Sequence, residues 1–213
     1  MSDLFESAST PAPEAGDRPL PDRLRPRSIG EIVGQDHLLD AGAPLRRMID
    51  DRRLASMILW GPPGCGKTTL ARILATVTDL HFEQLSAIFS GVKDLRQVFE
   101  AAAVRKRNGE GTLLFVDEIH RFNKSQQDAF LPVVEDGTIV LIGATTENPS
   151  FELNAALLSR AQVFVLKRLD DEALETLLAR AEEDAGRTLP LDDDARATLK
   201  AMADGDGRYV LTM

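Results

Sequence analysis

The chain has 213 residues, of which 43% are hydrophobic and 28% charged, a composition typical of soluble globular proteins. Its 34 acidic and 25 basic residues give a formal net charge of −9, which weighs against a general polyanion-binding surface but does not exclude a local basic patch. No apolar run approaches the roughly 18 residues of a membrane span. Because the N-terminus lacks the basic region of a signal peptide and the single cysteine cannot form an internal disulfide, we expect a cytoplasmic protein.

The beginning of the chain is rich in proline, alanine, serine and acidic residues. Such a composition predicts a disordered tail over residues 1–20, because it buries too little apolar surface to offset the entropy of ordering. A structured segment is expected from Arg25 to Leu38. We therefore divide the chain into this tail, a domain over residues 21–167 and a helical unit over residues 168–213.

Residues 61–69 have the sequence GPPGCGKTT, which matches the phosphate-binding pattern G-x-x-x-x-G-K-[ST]. Glycines let the backbone wrap phosphates with its N–H groups pointing inward, and the following helix directs its partially positive N-terminus at the same phosphates. Lys67 is placed to reach the β- and γ-phosphates, and the Thr68 hydroxyl is a ligand for Mg²⁺. We expect the whole loop to bind ATP: Gly61, Pro62, Pro63, Gly64, Cys65, Gly66, Lys67, Thr68 and Thr69.

The residues on either side of this loop support the motif. The apolar run Met57–Trp60 predicts a buried strand before it. After it, apolar residues with helical spacing predict one buried helix face: Leu70, Ile73, Leu74 and Val77. Strand, glycine-rich loop and helix follow one another in the order that phosphate binding requires.

Strands and helices alternate from this point to residue 166. Four more strands are predicted, at His81–Leu85, Thr112–Val116, Ile139–Ala144 and Val163–Leu166. Helices are predicted between them, at Val92–Arg107, Ser125–Glu135 and Asn154–Ser159. Pro132 predicts a kink or a late start in the second of these helices. The alternation indicates a parallel, three-layer α/β domain, in which ligands bind at the carboxyl ends of the strands.

From residue 170 onward the pattern is only helical. Helices are predicted at Asp170–Ala185 and Asp192–Ala203, and Gly205–Arg208 begins a third close to the last residue, Met213. A helical subdomain that ends so early in its third helix cannot close its core. We therefore expect a partial all-α subdomain in a truncated chain.

Two carboxylates follow the strand Thr112–Val116. Behind a complete phosphate-binding loop, this pair predicts ATPase chemistry: Asp117 holds Mg²⁺ directly or through water, and Glu118 polarises the attacking water as a general base. An ordinary solvated loop is the alternative, and the phosphate-binding loop disfavours it. Thr146 and Asn148, after the next strand, can contact the γ-phosphate or the water, although Thr-Thr-Glu-Asn is also a good turn sequence.

Two other features have competing explanations. Cys65 lies near a helix N-terminus and Lys67, where a thiol can be reactive, but we favour a small residue that merely fits the loop. The basic triplet Arg105–Arg107 can contact nucleic acid, but we favour cations that stabilise the end of a helix.

The motifs GPPGCGKTT, LLFVDEIHRF, GATTENPS, LLSR and GDGR occur in this order and together resemble an AAA+ ATPase of the clamp-loader group. Three longer strings closely resemble the replication-associated recombination protein A family, whose eukaryotic relative is the Werner helicase-interacting ATPase: RPRSIGEIVGQDHLL, SMILWGPPGCGKTTLAR and DEIHRFNKSQQDAFLPVVEDGTIVLIGATTENPSFELNAALLSR. The resemblance runs from about Leu24 to the end of the chain. It implies a P-loop AAA+ domain followed by a helical lid.

The resemblance also implies roles for single residues. Thr146 falls at the sensor 1 position, with Asn148 close by. Arg160 falls where the family has an arginine finger that enters a neighbouring subunit's site. Arg208 falls at sensor 2 and is expected to reach the γ-phosphate of its own subunit. The segment that lines the adenine pocket corresponds to Ile32, Val33 and Gly34.

The function implied by the resemblance is a DNA-dependent ATPase that acts at stalled replication forks, with ATP and Mg²⁺ as cofactors. The complete protein is expected to bind single-stranded or forked DNA and other replication-fork proteins, with no membrane partner. It is also expected to form a homo-oligomer, typically a tetramer, through a C-terminal region that we expect this chain to lack. Two alternatives stay open: a clamp-loader or Holliday-junction branch-migration ATPase, and a nucleotide-gated scaffold with little turnover.

Overall fold

The computed structural model describes residues 18–213. Most of the predicted tail, residues 1–20, lies outside the described residues, and Leu20 already begins the first helix. The described residues form five strands: β1 Met57–Trp60, β2 His81–Ser86, β3 Thr112–Asp117, β4 Val140–Thr145 and β5 Gln162–Val165. All five strands were predicted. Most of their ends differ from the predicted bounds by a single residue, and the other ends agree.

The five strands form one parallel sheet in the order β2-β3-β4-β1-β5. Thr145, at the carboxyl end of β4, is paired with Trp60 at the end of β1, and Trp60 is paired with Val165 of β5. β4 therefore lies between the strand that precedes the phosphate-binding loop and the strand that ends in Asp117. The parallel sheet confirms the predicted fold class and brings these carboxyl ends to one edge.

Both faces of the central strands β1, β3 and β4 are buried, as their continuous apolar runs predict, whereas the edge strands β2 and β5 are partly exposed. Side chains alternate between two cores because successive residues of a strand point to opposite faces. Leu113 and Phe115 of β3 pack in one core, and Leu114 and Val116 pack in the other. The central strands are therefore held from both sides, which fixes the positions of the side chains at their carboxyl ends.

The helices of the described residues are numbered in chain order: α1 Leu20–Arg23, α2 Asp36–Leu39, α3 Pro44–Asp50, α4 Lys67–Val77, α5 Val92–Arg107, α6 Lys124–Asp128, α7 Phe130–Glu135, α8 Pro149–Glu152, α9 Ala155–Leu158, α10 Asp171–Ala185, α11 Asp193–Ala203 and α12 Gly207–Val210. The sequence did not predict α1, α2, α3 or α8 as helices; α2 overlaps the segment from Arg25 to Leu38, which was expected only to be structured. The helix predicted at Ser125–Glu135 is interrupted at Ala129, so Pro132 is the third residue of α7. There its missing N–H is one that a helix leaves unpaired anyway.

Three helices follow the sheet and pack on one another. They share a separate apolar core that includes Leu174, Leu178 and Val210, and Val33 of the N-terminal segment packs against it. Asp170 and Asp192 accept hydrogen bonds from backbone N–H groups in the first turns of α10 and α11, which fixes where these helices begin. The helical unit therefore packs against the N-terminal segment through which the chain enters the fold.

Candidate active site

The phosphate-binding loop connects β1 to α4. The Gly61 N–H donates to the Thr145 carbonyl at 3.1 Å, which joins the start of the loop to the end of β4. Gly64 and Gly66 have φ values of +67° and +100°, a left-handed conformation that favours glycine. Gly66 caps α4, whose first N–H groups have no partner within the helix. These groups and the positive end of the helix dipole are suited to a phosphate.

Lys67 lies against its own loop and is 8% exposed. Its Nζ donates hydrogen bonds to the carbonyl oxygens of Gly61 at 2.8 Å and Pro62 at 2.7 Å. Because an ammonium group carries three donors, these two bonds hold the side chain and leave one donor for a phosphate oxygen. This arrangement is compatible with the predicted contact to the β- and γ-phosphates.

Gln35 connects the same loop to the end of the sheet. Its side chain is buried, and its Nε2 donates to the Lys167 carbonyl at 2.9 Å and to the Cys65 carbonyl at 3.4 Å. Its Oε1 accepts a hydrogen bond from the Lys167 N–H at 3.0 Å. Sequence reasoning did not single out Gln35, because its partners lie up to 132 positions away along the chain.

A cleft of about 210 Å³ lies between the phosphate-binding loop, the N-terminal segment and the C-terminal helices. Its polar side chains include Arg25, Lys67, Thr68, Thr69, Asp117, Glu118 and Arg208. Its apolar side chains include Leu24, Ile32, Val33, Leu169, Leu177 and Leu211. A nucleoside triphosphate has the same two parts, an aromatic base and a charged phosphate chain, so the chemistry of the cleft fits such a ligand.

The predicted site residues divide into those that line this cleft and those that do not. Ile32, Val33 and the loop residues 63–69 line it. Gly34 is not part of the lining. Its φ angle is +71°, and a Cβ at this position would lie 2.9 Å from Cδ2 of Leu169, a residue that does line the cleft. The other predicted residues outside the lining are Gly61, Pro62, Thr146, Asn148 and Arg160.

The N-terminal segment contributes four residues to the cleft that sequence reasoning missed: Pro21, Leu24, Arg25 and Pro26. Arg25 Nη2 donates to Asp22 Oδ1 at 2.5 Å. This hydrogen bond holds the pKa of Asp22 below its usual value, and the nearby positive charge of Arg208 acts in the same direction. Arg25 and Arg208 therefore lie near the same carboxylate at the border of the cleft.

The helix α12 places Arg208 in the cleft. The Gly207 N–H donates to the Gly64 carbonyl at 3.3 Å, so the helix begins directly against the phosphate-binding loop. Asp206 accepts hydrogen bonds from the N–H groups of Arg208 and Tyr209 at 2.8 and 2.9 Å. A Cβ on Gly64 would lie only 1.8 Å from Asp206 Oδ1, so this approach requires glycine in the loop.

Asp117 ends β3, and Glu118 follows it with a φ of +53°. This left-handed conformation is strained for a residue with a side chain, and such strain is concentrated at functional sites. Glu118 Oε2 lies 3.5 Å from Thr146 Oγ1 and 3.2 Å from His120 Nδ1. The structure thus brings Thr146 to the proposed base, although Thr146 does not line the cleft itself.

Asn148 is engaged in a local contact. Its Oδ1 accepts a hydrogen bond from the Ser150 N–H at 3.0 Å and so caps α8. This geometry agrees with the turn alternative for Thr-Thr-Glu-Asn. It directs the side-chain oxygen of Asn148 to the backbone rather than to the cleft.

Arg160 follows α9 on the protein surface. Its Nε donates to Glu135 Oε1 at 2.5 Å, and its Nη1 donates to the Ala156 carbonyl at 2.8 Å and to Ser159 Oγ at 3.0 Å. The side chain is 36% exposed. Arg160 therefore does not face the cleft of its own chain.

Local contacts distinguish between the competing explanations for Cys65 and for the basic triplet Arg105–Arg107. Cys65 is 2% exposed, and burial raises the pKa of its thiol despite the nearby charge of Lys67. This environment is that of an inert structural cysteine. In the basic triplet, Arg105 pairs with Glu83 at 3.0 Å and Lys106 donates to the Asp136 carbonyl at 2.6 Å, which agrees with a structural role at the helix end.

The family model of the "ATPase family associated with various cellular activities (AAA)" matches residues 57–169. The chain is 53% identical over 199 residues to replication-associated recombination protein A of Escherichia coli K12, covering 91% of this chain and 44% of that protein. It is 47% identical over 199 residues to the ATPase WRNIP1 of Dictyostelium discoideum, covering 92% of this chain and 23% of that one. The chain thus spans less than half the length of these relatives.

Solved structures show the same fold. The Thermotoga maritima RuvB Holliday junction branch migration motor superposes with a TM-score of 0.71 and 27% identity, over 88% of this chain and 63% of that one. Among residues 18–213, no helix has the length and apolar character needed to cross a membrane.

Proposed function

This chain belongs to the AAA family of ATPases, and from that premise we propose that it binds ATP with Mg²⁺ and hydrolyses the ATP in the cleft described above. The observation that carries the proposal is the placement of Lys67, Thr68, Asp117, Glu118 and Arg208 in the lining of one cleft. These residues come from the loop, β3 and its following turn, and the C-terminal helices. A phosphate-binding loop alone would support only nucleotide binding, whereas the carboxylates beside it support turnover.

Thr68 and Asp117 would hold the Mg²⁺ ion. Among the described residues no cluster of three His, Cys, Asp or Glu side chains is arranged around a common metal position. One or two protein oxygens suit Mg²⁺, which commonly takes its remaining ligands from substrate phosphates and water. When bound, the ion neutralises charge that develops on the phosphate oxygens.

Glu118 would act as the general base. A water molecule attacks the γ-phosphorus, the bond from this phosphorus to the bridging oxygen breaks, and ADP leaves with the electron pair of that bond. Glu118 takes a proton from the attacking water. Lys67 binds the phosphate oxygens and Arg208 approaches them from α12, so the site holds cations where negative charge accumulates.

Arg160 would act on a neighbouring chain. Its surface position, outside the cleft of its own chain, supports a contribution in trans. An arginine finger of this kind needs chains arranged head to tail, as in a ring. We therefore propose that the complete protein is a homo-oligomer in which Arg160 completes the adjacent site.

The biological role that we propose is a cytoplasmic, DNA-dependent ATPase at stalled replication forks, which also contacts other fork proteins. The names of the relatives, which refer to replication-associated recombination, support it. A branch-migration or clamp-loader ATPase is the second candidate, because the fold is similar to that of a branch-migration motor. A nucleotide-gated scaffold is disfavoured by the intact pair of Asp117 and Glu118.

ATP turnover by the complete protein tests these roles. It is measured without DNA and with single-stranded, forked or four-way-junction DNA of equal length, with Lys67→Ala as the inactive control. Stimulation by single-stranded or forked DNA supports the first proposal. Stimulation by the four-way junction alone supports the second candidate, and tight ATP binding with negligible turnover under every condition supports the scaffold.

A further inference from the structure

His120 links the end of β4 to the proposed base. Its Nδ1 lies 2.9 Å from Thr145 Oγ1 and 3.2 Å from Glu118 Oε2. The side chain is 7% exposed, so the imidazole is shielded from solvent. His120 lies in the short 3₁₀ turn Ile119–Arg121 that follows Glu118, and the turn fixes the ring between the two neighbouring strand ends.

The contacts of Thr145 indicate which way the hydrogen bond to His120 runs. Thr145 Oγ1 accepts a hydrogen bond from the Glu147 N–H at 3.0 Å and donates its own proton to the Glu147 carbonyl at 3.2 Å. With that proton directed to the Glu147 carbonyl, Nδ1 of His120 is the donor, and its one proton is shared between Thr145 Oγ1 at 2.9 Å and Glu118 Oε2 at 3.2 Å. A protonated Nδ1 also suits the close carboxylate oxygen, since an unprotonated nitrogen at 3.2 Å would place two lone pairs face to face.

Glu118 carries its carboxylate on a backbone in the left-handed conformation. The second side-chain contact of Oε2, from Thr146 Oγ1, is longer at 3.5 Å. The contacts to Oε2 orient the carboxylate and leave the other oxygen, Oε1, to take a proton. A general base works only when it is held within hydrogen-bond reach of the proton that it removes.

We propose that His120 is a positioning residue: its Nδ1–H, fixed by Thr145, holds the Glu118 carboxylate in the orientation that polarises the attacking water. This inference rests on the proposed role of Glu118 as the base. It also joins the base to β4, so that a displacement of the strand end beside Thr146 moves the carboxylate. His120 itself does not line the cleft.

The test uses three substitutions of His120 in the complete protein. An asparagine amide can place an N–H near the position of Nδ1, glutamine extends to the position of Nε2, and leucine has no donor. We expect His120→Leu and His120→Gln to lower kcat about 10- to 100-fold, because a misplaced base costs rate. We expect His120→Asn to stay within about threefold of the unsubstituted kcat, and KM for ATP to change less than about twofold in all three.

Control variants separate this proposal from a general structural effect. His81→Leu, at the opposite edge of the sheet, should leave kcat unchanged. In a Glu118→Gln background, His120→Leu should cause no further loss, because both changes remove the same function. If thermal unfolding shows that His120→Leu does not fold, the test is the difference in kcat between His120→Asn and His120→Gln.

Three outcomes would overturn the proposal: normal kcat in His120→Leu, no difference between Asn and Gln, or an additional loss of kcat in the Glu118→Gln background. Normal turnover by Glu118→Gln alone would instead remove the general base from the proposed function, and the inference with it. The parallel assay of that single variant therefore distinguishes the two failures.

Discussion

The two arginines that we assign to phosphate chemistry lie in different surroundings. Arg208 lines the cleft of its own chain, where α12 begins against Gly64 of the phosphate-binding loop. Arg160 lies on the surface, where it bonds to Glu135 and to the end of its own helix. One chain thus contains a cleft lined by Arg208, together with a second arginine that does not reach this cleft.

The difference between these regions separates binding from turnover. The cleft residues Lys67, Thr68 and Arg208 belong to one chain, so ATP binding should be a property of the single chain. Turnover should depend on a neighbour, because the proposed arginine finger comes from outside. The effect of substitutions in the cleft should therefore be the same with and without assembly, whereas the effect of substituting Arg160 should depend on assembly.

The largest effect is expected for Arg160→Ala in the assembled complete protein. Turnover should fall about 10³- to 10⁵-fold, because the charge on the transferring phosphoryl group loses its trans cation, while ATP affinity stays unchanged. Steady-state hydrolysis and nucleotide titration measure the two quantities. Arg46→Ala, which removes another surface ion pair, should have no effect.

The same Arg160→Ala substitution should change little in the dilute chain of 213 residues. The unsubstituted chain should already hydrolyse ATP slowly there, since dilution leaves few chains with a bound neighbour. A large loss of turnover in a chain proven monomeric by light scattering would place the action of Arg160 within its own chain.

The next largest effect is expected for Glu118→Gln. ATP should bind normally, but turnover should be at least about 100-fold slower, because glutamine cannot accept the proton of the water. Single-turnover hydrolysis measures the chemical step directly. Glu110→Gln makes the same substitution at an exposed residue and serves as the control, with unchanged hydrolysis expected. Near-normal hydrolysis in Glu118→Gln would assign the base to another residue.

Lys67→Ala should weaken ATP binding about 10- to 100-fold, because a charge-assisted hydrogen bond to phosphate is lost. The loss should be equal in the dilute chain and in the assembly, which a titration with a fluorescent ATP analogue can compare. Lys93→Ala removes an exposed lysine outside the cleft and should bind normally. Unchanged affinity in Lys67→Ala would contradict the assignment of the loop.

The smallest of these effects is expected for Arg208→Ala. ATP affinity should fall about tenfold, because one charge-assisted hydrogen bond at the cleft border is lost. ADP affinity should fall less if the side chain reaches the γ-phosphate. Isothermal titration with both nucleotides, and with Arg187→Ala as an exposed control, measures the difference. Equal losses for ATP and ADP would place Arg208 away from the γ-phosphate.

The parts of the fold that the sequence predicted are those set by local patterns. The central strands β1, β3 and β4 are short apolar runs, and the order of strand, loop and helix around Lys67 is visible within about twenty residues. Thr146 and Arg208 were assigned by resemblance; in the structure Thr146 lies beside Glu118, and Arg208 lines the cleft. Their roles stay predictions until the substitutions are measured.

The parts that were missed depend on contacts between distant segments. Arg25 was not identified because its place in the cleft is set by the packing of the N-terminal segment on the C-terminal helices. Gln35 binds the backbone of Lys167, and no local spacing reveals such a pair. Gly34 was expected in the adenine pocket; in the structure its left-handed backbone packs against Leu169, a residue of the cleft lining. The role proposed for His120 required knowing that β3 and β4 are neighbours.

The central claim is that Glu118 of one chain and Arg160 of another act on the same ATP. Complete Arg160→Ala protein is mixed with complete Glu118→Gln protein, each nearly inactive alone, and ATP hydrolysis is measured after subunit exchange. About one quarter of the interfaces in a randomly mixed ring join an intact Glu118 to an intact Arg160, so activity should return. Mixed oligomers that form, as shown by co-purification of two tags, but remain inactive would contradict this account.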